Sequence, residues 1–264
     1  MSEKCFGYFF CDLDGSLFDS GGNAWGDERQ PVALNVRNEA SSFINAQQRA
    51  LIELITMGGE GLILVPNTAR DLASFRRVEL PFTDHAILSF GAVILTPPPP
   101  GEKFGLPEPR WHELISQASR ATELELTAVL ATVDSAATAL ALKQSLRIEE
   151  MGDLADMGEM KLRLYVNVKE SKAGALDKLE AACRPLLPQG WWVHRNGHNL
   201  AVLPPYLGKE KAQRWFLENL ADSALVGDNA LSISLGDSAS DLPFMATCDY
   251  ALMPNSARFL GSCP

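Results

Sequence analysis

The chain has 264 residues, 46% of them apolar and 21% charged, enough to bury one or two domain cores and far from the composition of a disordered chain. Its 33 acidic and 23 basic side chains leave a net charge of −10, which repels polyphosphate backbones and excludes nucleic acid as an expected partner. Five widely spaced cysteines without a CxxC pair, no signal-like leader and no apolar run of about 18 residues exclude a disulfide framework, a zinc site and a membrane partner, so a cytoplasmic protein is expected.

Cys5 to Cys11 (CFGYFFC) is an aromatic-rich apolar run that stops at DLDG, the pattern of a parallel strand buried on both faces. Residues 20 to 40 read as a long loop. A helix is expected from Ser42 as N-cap to a stop at Gly58-Gly59. Leu62 to Val65 then gives a second buried strand ending at Asn67-Thr68, and RDLASFRRV continues as helix, so a right-handed parallel βαβ arrangement follows. His85 to Leu95 is a third strand region, interrupted at Gly91, and the proline run TPPPP after it marks a domain boundary.

Beyond that boundary, helical patterns near Trp111 to Arg120, Ala136 to Ser145 and Ser171 to Cys183 mix with strands at Leu162 to Val168 and Trp191 to His194. The α/β pattern returns with a helix at Lys209 to Leu220, a strand at Leu231 to Leu235 ending in GDSASD, and a short strand at Tyr250 to Met253. The fold expected is therefore α/β, a Rossmann-like parallel-sheet core (1–95 and 196–264) with an inserted α+β cap (96–195).

In a strand, residues two apart face the same side, so Asp12 and Asp14 project together at the C-terminal edge where open α/β sheets bind ligands. Adjacent carboxylates repel and need a cation or a shared proton. Asp-x-Asp-Gly alone is also an ordinary turn. The second cluster, Asp237 and Asp241 after another buried strand, makes it a hard-oxygen site suited to Mg²⁺.

Asp12-Leu13-Asp14-Gly15-Ser16-Leu17, then Asn67-Thr68-Ala69-Arg70, then Lys209 in GKEKA, then Gly236-Asp237-Ser238-Ala239-Ser240-Asp241 resemble, in order, the four motifs of the haloacid dehalogenase superfamily. The insertion between the second and third is similar to the α+β cap, of C2B type, in the subgroup containing sucrose-phosphate phosphatase and mannosyl-phosphoglycerate phosphatase. The resemblance implies a Mg²⁺-dependent phosphatase acting on a small phosphate ester, most simply a sugar phosphate. Its implied alternatives are a phosphomutase, or a silent binding protein on the same fold.

On that resemblance, Asp12 is the nucleophile that forms an aspartyl phosphate, and Asp14 is the general acid and base. Mg²⁺ would be held by Asp12, the backbone carbonyl of Asp14 and Asp237, with Ser240 and Asp241 supporting it from behind. Thr68 would donate to a phosphoryl oxygen, Asn67 and Arg70 would contact substrate, and Lys209, preferred to Lys211, would supply positive charge. Ser240 and Phe90 stand where similar sequences more often carry Asn. Candidate cap contacts to the substrate are Lys161, Arg163, Arg195 and His198, with His194 and Asn199 nearby, while the Trp191-Trp192 pair suits either packing or stacking on a sugar.

Overall fold

The structure is a computed structural model that describes residues 5–20, 29–57, 61–80, 82, 84–152, 162–171, 174–221, 226, 230–255 and 257. Two compact units emerge, Met1–Trp111 with Gly208–Pro264, and His112–Leu207.

In the first unit, strand β1 (Gly7–Cys11) is buried at every residue. It lies between β5 (Leu62–Pro66) and β12 (Leu231–Leu235), parallel to both, and β13 (Tyr250–Leu252) flanks β12. The order β13-β12-β1-β5 puts the ends of β1 and β12 side by side. A parallel bridge from Asn67 to Ile87 carries the sheet on toward β6 (Ala86–Leu88), which turns back antiparallel into β7 (Val93–Leu95).

The helix α6 (Lys209–Asn219) packs on this sheet through Phe216, whose ring meets Tyr8 and Phe10 edge-on at 5.2 and 5.5 Å. Burying one such ring stabilises by roughly 1.5–3 kcal/mol and fixes the height of α6 over β1. The start of α6 abuts the turn at Ser89–Gly91, where Ser89, Phe90 and Gly91 all have positive φ. A Cβ at Gly91 would lie 2.5 Å from the Gly208 carbonyl oxygen, so only glycine lets the two segments meet. Phe90, in place of the Asn of similar sequences, holds a left-handed φ of 57° that is costly for a bulky residue. The same turn anchors the next motif, because the Ser89 and Phe90 amides donate to the carbonyls of Arg70 and Thr68.

Residues expected as loop and helix start instead form a small antiparallel sheet of β2 (Asp19–Ser20), β3 (Gln30–Leu34) and β4 (Ala40–Ile44), in the order β2-β4-β3. Ser42 is thus a strand residue. The helix α1 (Ala46–Thr56) begins later, at an Asn45 cap whose side chain accepts from the Gln48 amide while Gln48 bonds back to the Asn45 amide. Its expected stop at Gly58-Gly59 lies outside the described residues, and the chain leaves the helix through a left-handed Met57. The helix expected next is a single turn, α2 (Leu72–Phe75), capped by Asp71.

The second unit is a four-stranded antiparallel sheet in the order β10-β11-β9-β8: β8 (Leu146–Met151), β9 (Tyr165–Glu170), β10 (Trp192–Asn196) and β11 (Asn199–Leu203). Its core joins Val166, Val168, Leu200 and Val202 of the sheet to α4 (Glu123–Ala139) and α5 (Ala175–Cys183). Leu126, Val129, Val133 and Ala137 supply the inward stripe of α4, which starts well before the helical pattern expected at Ala136. Trp191 belongs to this core and Trp192 donates to the Leu207 carbonyl, so both indoles have packing partners.

The two units divide at Trp111/His112, inside α3 (Pro109–Ala121), and at Leu207/Gly208, rather than after residues 95 and 195. Local pairing explains both shifts. The proline segment folds back on the first unit, with Thr96 N–H donating to Leu106 O at 2.8 Å and Glu108 N–H to Ile94 O at 2.7 Å. Downstream, β11 pairs on both sides within the second unit. No helix among the described residues is long and apolar enough to cross a membrane.

Candidate active site

Asp12 follows the last residue of β1, and its amide donates to the Leu235 carbonyl, which pins it to the end of β12. The chain then turns sharply, Leu13 O accepting from the Ser16, Leu17 and Phe18 amides. Gly15 makes the turn possible: its φ is +93°, and a Cβ there would sit 2.7 Å from a carboxylate oxygen of Asp237. Asp12 and Asp237 therefore share one crowded corner. The Ser16 hydroxyl lies between their carboxylates, at 3.4 and 3.5 Å.

Lys209, the first residue of α6, closes this corner with its Nζ 2.6 Å from Asp12 Oδ1 and 2.8 Å from Asp241 Oδ1. All three side chains are buried. Burial pushes the Asp12 carboxyl up to about 7, helped by the charges of Asp241 and Asp14 and opposed by Lys209. Burial alone would push the Asp241 carboxyl up too, but the Lys209 charge and hydrogen bonds from Lys209 and Ser238 outweigh it and hold it below its ordinary value. Burial disfavours the Lys209 ammonium, yet the two carboxylates raise its pKa.

One oxygen each from Asp12, Asp237 and Asp241 lie within 4.8 Å of one another. Three carboxylates thus crowd one buried pocket of oxygen donors. Such a donor set fits a hard divalent cation of the Mg²⁺ type. Asp241 thus belongs among the potential ligands, although the motif pattern places it only behind them.

The Asp14 side chain points elsewhere. Arg70 grips it with two hydrogen bonds, Nε to Oδ2 at 2.6 Å and Nη2 to Oδ1 at 2.7 Å, and also donates to Ser42 Oγ at 3.1 Å. The guanidinium rests 5.2 Å from the Phe18 ring centre. Arg70 is therefore engaged with the second motif carboxylate, where a substrate contact was expected. Thr68 is buried next to this pair, its Oγ1 accepting from the Arg70 amide at 3.2 Å.

Asn67 was expected to touch substrate, but its side chain is fully buried and donates to the Lys209 carbonyl and to Gln213 Oε1. Ser240 bonds the Ser238 hydroxyl at 2.8 Å. In the second unit, Arg163 is held by Glu150, Glu123 and Thr127, and its pKa is raised chiefly by the Glu150 hydrogen bond. Arg195 lies by Glu170 and Asp177 and donates to the Gly197 carbonyl, while His198 pairs with Glu170. Lys161 lies outside the described residues. Ser16 and Gln213 were given no role in the sequence, and Ser42 was expected only as a helix cap. Their signal there is faint: a hydroxyl inside the first motif, and a serine and a glutamine at positions that prove buried.

Against solved structures, the chain is similar to the sucrose-phosphatase of Synechocystis, solved with sucrose and phosphate, at 13% identity over 96% of this chain and 84% of that one, with a TM-score of 0.56. A Eubacterium rectale protein matches at 12% identity over 96% and 89%, with a TM-score of 0.57. The C-terminal domain of trehalose-6-phosphate phosphatase from C. albicans matches at 10% identity over 91% and 73%, with a TM-score of 0.54. No family model and no curated protein sequence matches the chain. At these identities the likeness shows the fold: a Rossmann-like core with an inserted α+β unit, the fold of these phosphatases and the one expected from the four motifs.

Proposed function

We propose that the chain is a phosphomonoester hydrolase of the haloacid dehalogenase superfamily, dependent on Mg²⁺ and acting through an aspartyl phosphate on a small sugar phosphate. The observation that carries this reading is the corner itself: a buried Asp12 carboxylate at a parallel strand end, 2.6 Å from Lys209, with Asp237 and Asp241 oxygens within 4.8 Å. Burying three neighbouring carboxylates is unfavourable for a purely structural cluster, and a bound cation would offset that cost. The structural neighbours, a sucrose-phosphatase solved with sucrose and phosphate and a trehalose-6-phosphate phosphatase, support a sugar phosphate as the ester.

In this reading, Asp12 attacks phosphorus in line with the ester oxygen, the P–O ester bond breaks, and Asp14 gives its proton to the departing alcohol. Asp14 then takes a proton from the water that attacks the phosphoryl-aspartate, so phosphate leaves and Asp12 is restored. Lys209 balances the charge on Asp12 and on the phosphoryl oxygens, while Thr68 gives its hydroxyl hydrogen to one of them. Arg70 orients Asp14 through both carboxylate oxygens, and one of these bonds must open for Asp14 to carry the proton it transfers. Asp12, Asp237, Asp241 and the Asp14 carbonyl would hold Mg²⁺, whose positive charge would let an anionic nucleophile approach an anionic ester.

Selection among sugars would fall to the second unit. Arg163, Arg195 and His198 are already bound to carboxylates, so each would have to share those partners with a substrate. Phosphate release from a panel of sugar phosphates, with Mg²⁺ and with chelator, tests the reading. Release that needs the metal and differs among sugars supports it, and absence of release from every ester removes it.

A further inference from the structure

We propose that Gln213 and Asn67 form a positioning pair that sets where Lys209 stands in the active site, a role that rests on the phosphatase reading for its catalytic consequence. Lys209 is the first residue of α6, and the helix start has no side-chain cap: Gly208 precedes it, and only the Gly208 carbonyl receives the Lys211 and Ala212 amides. Uncapped helix ends fray. A lysine that must hold two carboxylates at 2.6 and 2.8 Å needs a firmer support than that.

The support comes from the side. Asn67 Nδ2 donates to the Lys209 carbonyl at 3.3 Å and to Gln213 Oε1, one helical turn further on, at 3.0 Å. The Asn67 amide N–H in turn donates to the carbonyl of Cys11, the residue before Asp12, at 2.7 Å. On its other side, Gln213 Nε2 reaches the Phe244 carbonyl at 3.1 Å and Thr247 Oγ1 at 2.6 Å, in and just after α7 (Leu242–Met245), the helix that directly follows Asp241. Through the main chain of Asn67 and the two amide side chains, the pair thus links the three chain segments that carry Asp12, Lys209 and Asp241.

Packing alone does not call for this. Gln213 and Asn67 are both fully buried, and the neighbouring buried positions of α6, Ala212 and Phe216, are apolar. An apolar residue at 213 would satisfy the helix pattern without desolvating an amide. The pair also leaves Asn67 Oδ1 buried with no donor against it among the described residues, while its Nδ2 serves two acceptors. A local rule broken in this way, within one helical turn of a reacting group, marks a site kept for positioning.

Three variants test the pair: Gln213→Met, Asn67→Leu and the double variant. Each is assayed for melting temperature, for kcat and KM, and for modification of Lys209 by an amine reagent under native conditions, located by peptide mapping. Gln213→Met should raise Lys209 modification by about tenfold and lower kcat by about tenfold or more, with KM changed less than about threefold. In the double variant, where neither partner is left unpaired, the melting temperature should recover while kcat and Lys209 reactivity do not. Recovery of all three together would reduce the pair to a structural role and overturn the proposal. So would unchanged Lys209 reactivity and kcat in Gln213→Met. If the wild type hydrolyses no ester while Lys209 reactivity still responds to Gln213→Met, the positioning role stands and the phosphatase reading fails.

Discussion

Two ion pairs divide the labour at the level of single residues. Lys209 binds the carboxylate that would attack, and Arg70 binds the one that would move protons. Asp12→Asn keeps the shape of the corner but removes the anionic oxygen, so steady-state phosphate release should fall by at least about a thousandfold. Arg70→Lys retains a charge but cannot grip both Asp14 oxygens in a planar fork. It should lower kcat by roughly ten- to a hundredfold with KM nearly constant, as steady-state kinetics would show, whereas equal losses in kcat and 1/KM would place Arg70 on the substrate instead. Asp12, Asp14, Lys209 and the late aspartates were legible in the sequence because their motifs end buried strands or open a helix. The Arg70–Asp14 grip and the Asn67–Gln213 pair were not, because they join residues 56 and 146 positions apart and no local pattern records them.

Secondary-structure elements were legible where one periodicity ruled. The apolar runs of β1 and β5 and the amphipathic α6 stand essentially where the pattern put them. Phe43 and Ile44 misled because they suit a helix as well as a strand. Pairing with β3 decides for the strand and moves the helix start to Asn45. That cap gives a separable test, since Asn45 stands outside the catalytic corner. Asn45→Ala removes the side-chain acceptor of the Gln48 amide and should cost about 0.5–2 kcal/mol by thermal or chemical denaturation. Its kcat should match the wild type; a large loss of kcat would instead tie α1 to catalysis. The strand β8 escaped sequence reading because the Glu149-Glu150 pair interrupts its alternation and it is half-exposed along its length.

Across the molecule, the buried carboxylates couple folding to pH, and a cation bound among them would couple it to metal. Asp12 titrates near 7 in the folded chain against an ordinary carboxyl value of 3.8. Between those values the folded state holds a proton that the unfolded chain has released, so this contribution to stability is complete below the lower value and is lost as pH rises through the higher one. In chelator, the melting temperature should therefore fall as pH rises from about 5 to about 8, and Asp12→Asn should flatten the trend. Mg²⁺ competes with that proton, so its stabilising effect should grow over the same range. A Mg²⁺ effect independent of pH would show that the cation does not meet Asp12. If Asp12 carries the phosphoryl group, acid quenching of the Mg²⁺-loaded protein during turnover of a sugar phosphate, followed by peptide mapping, traps it there. A phosphoryl adduct on Asp12, absent when Mg²⁺ is withheld, is the predicted result; turnover with that peptide unmodified, or with the adduct on another residue, would contradict it.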